Sequence, residues 1–235
     1  MEIEAITHTG LVRPNNEDRY FVSRLGMNSV LAAIADGMGG HAGGEIAAEI
    51  ALEALAGFDS ECEDPGEALT RCMMSAHESI LDASAADRSL RGMGSTLSIV
   101  FVSGPKAYWA SVGDSRIYLF RCGGLSPVSN DHTIPGSLLK EGKITRETAR
   151  LHPYRNVLLR CVGCDRHEPD SGAFDLYAGD LLMLSSDGLH DLLSDEEISE
   201  VLSSEGNLSA KLQNMLAMCL ELGGKDNITA VLVSI

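Results

Sequence analysis

Three aspartates stand where strongly apolar runs end or begin. Asp36 follows the run at 31–35, Asp187 follows the run at 181–184 and its two serines, and Asp226 with Asn227 precedes the run at 228–235. A carboxylate at the mouth of a buried strand is costly unless something positive neutralises it. Glu17 and Asp18 add a fourth acidic segment, so four stretches distant in the chain can each deliver an oxygen ligand to one point. Oxygen ligands suit hard cations such as Mg²⁺ or Mn²⁺, whereas a zinc site normally brings His or Cys. The pattern reads first as a carboxylate-bound metal enzyme.

The elements that must position these acids are legible from period and punctuation. Short strands are expected at 3–7, 19–24 and 29–35, the last apolar enough to be central and covered on both faces. Helical spacing follows over 41–58. A second helix is expected from Asp64-Pro65-Gly66-Glu67, which offers an N-cap, a proline at the first helical position and an acid in the first turn, to about residue 85. Strands at 95–103, 106–112 and 115–121 are joined by connectors too short for crossover helices and are expected to form an antiparallel meander. After a mixed stretch over 131–163 come strands at 173–177 and 180–186. A helix opens on the capping-box pattern of Ser194 and Glu197, and another spans 207–222 with Gly223 and Gly224 beyond its end. Sheets packed together and covered by helices would follow.

With 235 residues, 44% of them hydrophobic, the chain suits one domain with a substantial core, and we expect a single domain over 1–235. A net charge of −16 argues against a nucleic-acid or acidic-membrane partner, because phosphate binding is driven by Lys and Arg. The N-terminus has early acids rather than a basic segment and a long apolar stretch, and no run approaches the ~20 apolar residues that span a bilayer, so a cytoplasmic location is expected. The six cysteines read as free thiols of a reducing compartment. Cys161 and Cys164 form an isolated CxxC, read as incidental because no second ligand pair accompanies it.

The ordered set of short motifs then carries a family resemblance. Arg13-Pro-Asn-Asn-Glu17-Asp18, Ala35-Asp36-Gly37-Met38-Gly39-Gly40-His41, Gly94-Ser95-Thr96, Gly113-Asp114-Ser115-Arg116, Asn130-Asp131-His132, Ser186-Asp187-Gly188 and Lys225-Asp226-Asn227-Ile228-Thr229 resemble the motifs of the metal-dependent serine/threonine protein phosphatases of type 2C, in the short bacterial form. Each motif alone is weak, since Asp-Gly is common in turns. Together they cover almost the whole chain.

The resemblance implies an α+β fold, a four-layer αββα sandwich with two central antiparallel sheets. It also implies a centre of two Mn²⁺ or Mg²⁺ ions. Asp36 would bridge both ions, the Gly37 carbonyl would bind one, Asp187 and Asp226 the other, and Glu17 would act through water, with Asp114 at a third metal position. Such paired ions activate a water and hold phosphoryl oxygens in line. Phosphoproteins, and a serine/threonine kinase opposed by the enzyme, are the implied partners.

By the same resemblance Arg13 binds the substrate phosphate, for which its planar fork is suited; the competing reading is an ion pair with Glu17 or a neighbouring acid. Met38 stands where many eukaryotic members have histidine, so the general acid is left open among bound water and His41, while His132 and His190 read as structural hydrogen-bonders. Residues 132–160 carry Lys140, Lys143, Arg146, Arg150, Arg155 and Arg160 against Glu141 and Glu147, a local basic island. That stretch, to about 163, resembles the family's flap. It could attract a phosphoprotein or simply form a solvated face with internal pairs. The rival readings of the whole chain are a pseudophosphatase acting as a binding module, and a metal nuclease, which the negative charge disfavours.

Overall fold

The computed structural model describes residues 1–39 and 43–235. One antiparallel sheet has the order β1 (Glu2–His8), β11 (Ile228–Ser234), β10 (Leu181–Ser185), β7 (Arg116–Arg121) and β8 (Gly124–Pro127). The other runs β2 (Asp18–Gly26), β3 (Ser29–Met38), β5 (Leu97–Ser103), β6 (Lys106–Val112) and β9 (Asp170–Asp175), with the short β4 (Gly94–Ser95) paired to the end of β3. Helices α1 (Gly43–Glu53) and α2 (Pro65–Ala86) cover the second sheet. Helices α6 (Asp195–Ser203) and α7 (Leu208–Glu221) cover the first. The αββα sandwich is therefore present. Among the described residues, no helix is long and apolar enough to cross a membrane.

Strand periodicity builds the layers. In β3, Leu31, Ala33 and Ala35 pack under α1 and α2, while Val30, Ala32 and Ile34 face the opposite sheet. Leu182 and Leu184 of β10, and Val231 and Val233 of β11, meet them from across the sandwich. Successive side chains of a strand alternate faces, so a strand buried on both sides must be apolar at every position.

The helix signals hold in detail. Asp64 accepts the Glu67 N–H at 3.0 Å, and Ser194 and Glu197 make a reciprocal capping box. Helix α1 stops at Glu53 and tightens into a single 3₁₀ turn over 54–57 rather than continuing as α-helix to 58. His41, with Gly40 and Ala42, lies outside the described residues.

The expected three-strand meander is not what forms. Strands β5 and β6 pair, but β7 belongs to the other sheet, where it pairs with β10 and β8. The chain crosses between the sheets at Gly113-Asp114-Ser115. Gly113 has φ of +103°, and a Cβ there would lie 2.6 Å from the Thr96 side chain, so this turn takes a backbone that other residues resist. A short connector therefore joined sheets rather than neighbouring strands, and it carries Asp114 to the sandwich's rim.

The Lys211 ammonium of α7, only 7% exposed, donates to the carbonyls of Leu202 at 2.9 Å and of Ser204, closing the C-terminus of α6. Its Lys211→Met substitution removes those donors from buried carbonyls. It should lower unfolding free energy by about 1–3 kcal/mol in urea titration while leaving any catalytic constant unchanged.

Candidate metal and phosphate site

The layer between the sheets changes chemistry towards one end. Continuing each inward-facing row, Val102 and Val100 of β5 give way to Ser98 and then Thr96, Ile117 to Ser115, Leu184 to Ser186, Val231 to Thr229, and Ile34 to Asp36. The hydroxyls are linked. Ser98 Oγ lies 2.8 Å from Ser111 Oγ and donates to the Ser115 carbonyl at 2.8 Å, and Thr96 Oγ1 lies 2.8 Å from Ser115 Oγ. Thr96 Oγ1 also accepts the Asp36 N–H at 2.9 Å, while the Asp36 carbonyl accepts from Thr96 N at 2.9 Å and Ser95 Oγ at 3.0 Å. Three bonds thus fix the backbone on which the Asp36 carboxylate rides.

Asp18 is the register partner of Asp36 across β2 and β3, so the two carboxylates share a face. Asp18 is buried, and Ser186 Oγ donates to its Oδ2 at 2.7 Å, but its Oδ1 has no hydrogen-bond partner among the described residues. Burial, opposed by Ser186 and Thr229, raises its pKa to about 6. Asp187, which opens the one-turn α5 (Asp187–His190), and Asp36 are both pushed well above the usual carboxylate range, first by burial and then by the acids around them. Asp18, Asp187, Asp114 and Asp226 all act on Asp36. Burial and Asp131 lift Asp114 to about 7. Burial also raises Glu17.

Asn227 stitches the segments together. Its Oδ1 accepts the Glu17 N–H at 2.8 Å, and its Nδ2 donates to the carbonyls of Thr9 and Asn15 at 2.9 Å each. Gly37 N–H donates to the Glu17 carbonyl at 3.2 Å. Glu17, Asp36, Gly37, Asp114, Asp187 and Asp226 thus gather at one rim of the sandwich. They do not close on a point: among the described residues, no three His, Cys, Asp or Glu side chains form a cage able to hold an ion.

Arg13 is half exposed and donates from Nη2 to Asp226 Oδ2 at 2.7 Å. The competing ion-pair reading therefore holds in this state, with Asp226 as the partner. His132 and His190 are buried hydrogen-bonding groups, the first accepting from Gly113 N at 3.2 Å, the second 2.9 Å from Ser185 Oγ. Burial lowers the pKa of both, which holds them neutral.

The basic island is paired mostly with acids outside it. In the segment that carries α3 (Ile134–Lys140) and α4 (Arg146–Arg150), Lys140 and Arg160 reach Asp170, Arg146 reaches Asp195, Arg155 reaches Asp191, and Lys143 reaches Glu141. Arg150 donates to the carbonyls of Asp191 and Leu192. These cations fasten the segment to the body. A cleft of about 420 Å³ opens between them and the rim, bordered by Asp114, Arg116, Arg150, Asp187 and Asp191.

Sequence reasoning undervalued Asp18 and missed Ser186, Thr96 and Asn227 as the supports of Asp18, the Asp36 backbone and Glu17 respectively. The available signal was the inward-facing row of β5, β7, β10 and β11, which turns from Val, Ile or Leu to Ser or Thr at the end where the acids stand.

Comparison with known proteins identifies the family. Residues 12–232 match the family model described as protein phosphatase 2C. The chain is 35% identical over 241 residues to the protein phosphatase PhpP of Streptococcus pneumoniae, covering 100% of this chain and 97% of that protein. It superposes on the Streptococcus agalactiae serine/threonine phosphatase with a TM-score of 0.90 at 33% identity, covering 100% of this chain and 99% of that one. The catalytic domain of the serine threonine protein phosphatase PstP, solved in complex with 2 manganese ions, matches with a TM-score of 0.87 at 34% identity, over 98% of this chain and 96% of that domain. The chain belongs to the protein phosphatase 2C family.

Proposed function

We propose that this chain hydrolyses phosphoserine and phosphothreonine in proteins with divalent metal, that 1–235 form one catalytic domain, and that 132–163 act as a flap beside the site. The observation that carries this reading is the acidic rim, above all the like-charge crowding of the buried carboxyls of Asp36 and Asp187, beside buried Asp18 whose Oδ1 has no partner among the described residues. Buried carboxylates with neither cation nor proton are strongly unfavourable, and an all-oxygen donor set suits Mg²⁺ or Mn²⁺. Asp36, the Gly37 carbonyl, Asp187 and Asp226 would hold two ions, with Glu17 acting through water and Asp114 at a third. When bound, such ions supply an activated water and neutralise phosphoryl charge.

The protein's own groups do the rest. Thr96 and Ser95 hold the Asp36 backbone, and Ser186 fixes Asp18. Arg13, which pairs with Asp226, would bind two phosphate oxygens through its planar fork. The cleft beside Asp187 would admit the phosphorylated segment. A cytoplasmic setting and an opposing serine/threonine kinase complete the proposal. The pseudophosphatase alternative lacks support, since Asp36, Asp187 and Asp226 are all present at the rim.

Manganese-dependent release of phosphate from a phosphothreonine peptide should be abolished by chelator and fall at least about a hundredfold in Asp36→Asn and Asp226→Asn; full activity in both variants would refute the site. Arg13→Ala should raise KM for the peptide about tenfold or more, and Ser186→Ala should weaken apparent metal affinity about 10–100-fold.

Stability of the metal-free protein should respond to pH in a defined sense. Acids with raised folded pKa values bind protons more tightly in the folded state, so stability is lost as pH climbs from their unfolded values near 4 through about 6 for Asp18 and about 7 for Asp114. The Tm gap between manganese-loaded and chelated protein should therefore widen from about pH 5 to about pH 8. A gap that is constant or narrows in differential scanning would contradict the electrostatic account.

A further inference from the structure

Cys161 and Cys164 are bonded as a disulfide, with Cα atoms 5.4 Å apart, which corrects the expectation of free thiols at these positions. Their four-residue loop is held from two sides. Val162 bridges antiparallel to Ser95, with Ser95 N to Val162 O at 3.0 Å and Val162 N to Ser95 O at 2.9 Å. Gly163 N–H donates to His77 Nδ1 of α2 at 3.1 Å. The His77 ring stacks on that of His167 at 3.6 Å.

Ser95 connects this loop to the site. It pairs with Gly37 in the β3–β4 register, its Oγ donates to the Asp36 carbonyl at 3.0 Å, and Thr96 next to it accepts the Asp36 N–H. Gly94, the other residue of β4, backs directly on the sulfurs. A Cβ at Gly94 would lie 3.1 Å from Cys164 Sγ and 3.4 Å from Cys161 Sγ. Two separate thiols need more room than a bonded pair, and here the room adjoins the strand that fixes Asp36 and Gly37.

We propose that the Cys161–Cys164 pair is a redox site that sets the metal affinity of the Asp36–Gly37 turn, the oxidised form holding β4 and the turn in place and the reduced form loosening them. The proposal rests on the metal-phosphatase reading above. Cys161 is buried and Cys164 half-buried, so Cys164 is the sulfur that meets reagents. The oxidant is a low-molecular-weight disulfide. The Cys164 thiolate attacks one of its sulfurs, expelling one thiolate and leaving a mixed disulfide. The Cys161 thiolate then attacks Cys164 Sγ and expels the second. Two electrons pass to the reagent, and both cysteine protons leave to solvent. Reduction by an external thiol reverses these steps through Cys164. The CxxC lies on a β-bridge rather than at a helix N-terminus, so it lacks the setting of a disulfide oxidoreductase and acts on its own protein.

The test compares wild-type protein equilibrated with dithiothreitol and with oxidised glutathione, conversion being followed by thiol titration and intact mass. Expected on reduction is a rise of about three- to tenfold in the manganese concentration for half-maximal phosphopeptide hydrolysis, with kcat at saturating manganese unchanged. Amide hydrogen exchange at 94–96 and 36–37 should also quicken. Cys161→Ser/Cys164→Ser should behave as the reduced form and ignore both reagents. Since the wild-type pair is decisive, misfolding of that variant would not spare the proposal. Complete conversion with identical manganese dependence and exchange would overturn it, as would a pair that never converts, or zinc bound by wild type and lost in the double variant. If no form hydrolyses the peptide, the phosphatase reading fails, while hydrogen exchange still decides whether the pair is coupled to the turn.

Discussion

The molecule depends on how charge is tolerated at the end of a layer that is otherwise hydrocarbon. Between the sheets, Val30, Ala32 and Ile34 are buried against Leu182, Leu184, Val231 and Val233. One step further along, the rows of β5, β7, β10 and β11 present hydroxyls, while that of β3 presents Asp36, with Asp18 of β2 beside it. Burial of a carboxylate costs several kcal/mol without compensation, so the hydroxyl tier is what permits charge to follow apolar packing so abruptly. Ser186 and Thr96 provide that transition from opposite sheets. The repulsion left over among the acids is the site's capacity for a multivalent cation.

Much of this was legible in the chain. Acids at the ends of apolar runs identified Asp36, Asp187 and Asp226, and capping signals placed α2, α6 and α7 to within a residue or two. What escaped was non-local. Nothing in the period of residues 95–121 distinguishes a meander from a chain that changes sheets, because β7 alternates equally well against either partner. The decision lies in Gly113 and in the space beside Thr96. Asp18 was similarly ambiguous. Its burial follows from pairing with Asp36 across β2 and β3, which no local pattern reports.

Charge counting along the sequence misled in an instructive way. The segment over 132–160 is basic in isolation, but Asp170, Asp191 and Asp195 lie outside it and absorb Lys140, Arg146, Arg155 and Arg160. Exposed pairs of this sort contribute little each, roughly 0–1 kcal/mol, and weaken with salt. Their combined effect is on posture more than on stability: they hold α3 and α4 beside the cleft.

The pairing of β1 with β11 runs in register from Glu2 opposite Ser234 to His8 opposite Ile228. Residues 2 and 234 therefore lie side by side, with the acids roughly 20 Å away at the other end of both strands. A label attached at residue 2 or 234 would therefore stand at the end of the sheet remote from the acids and leave the cleft beside Asp187 clear.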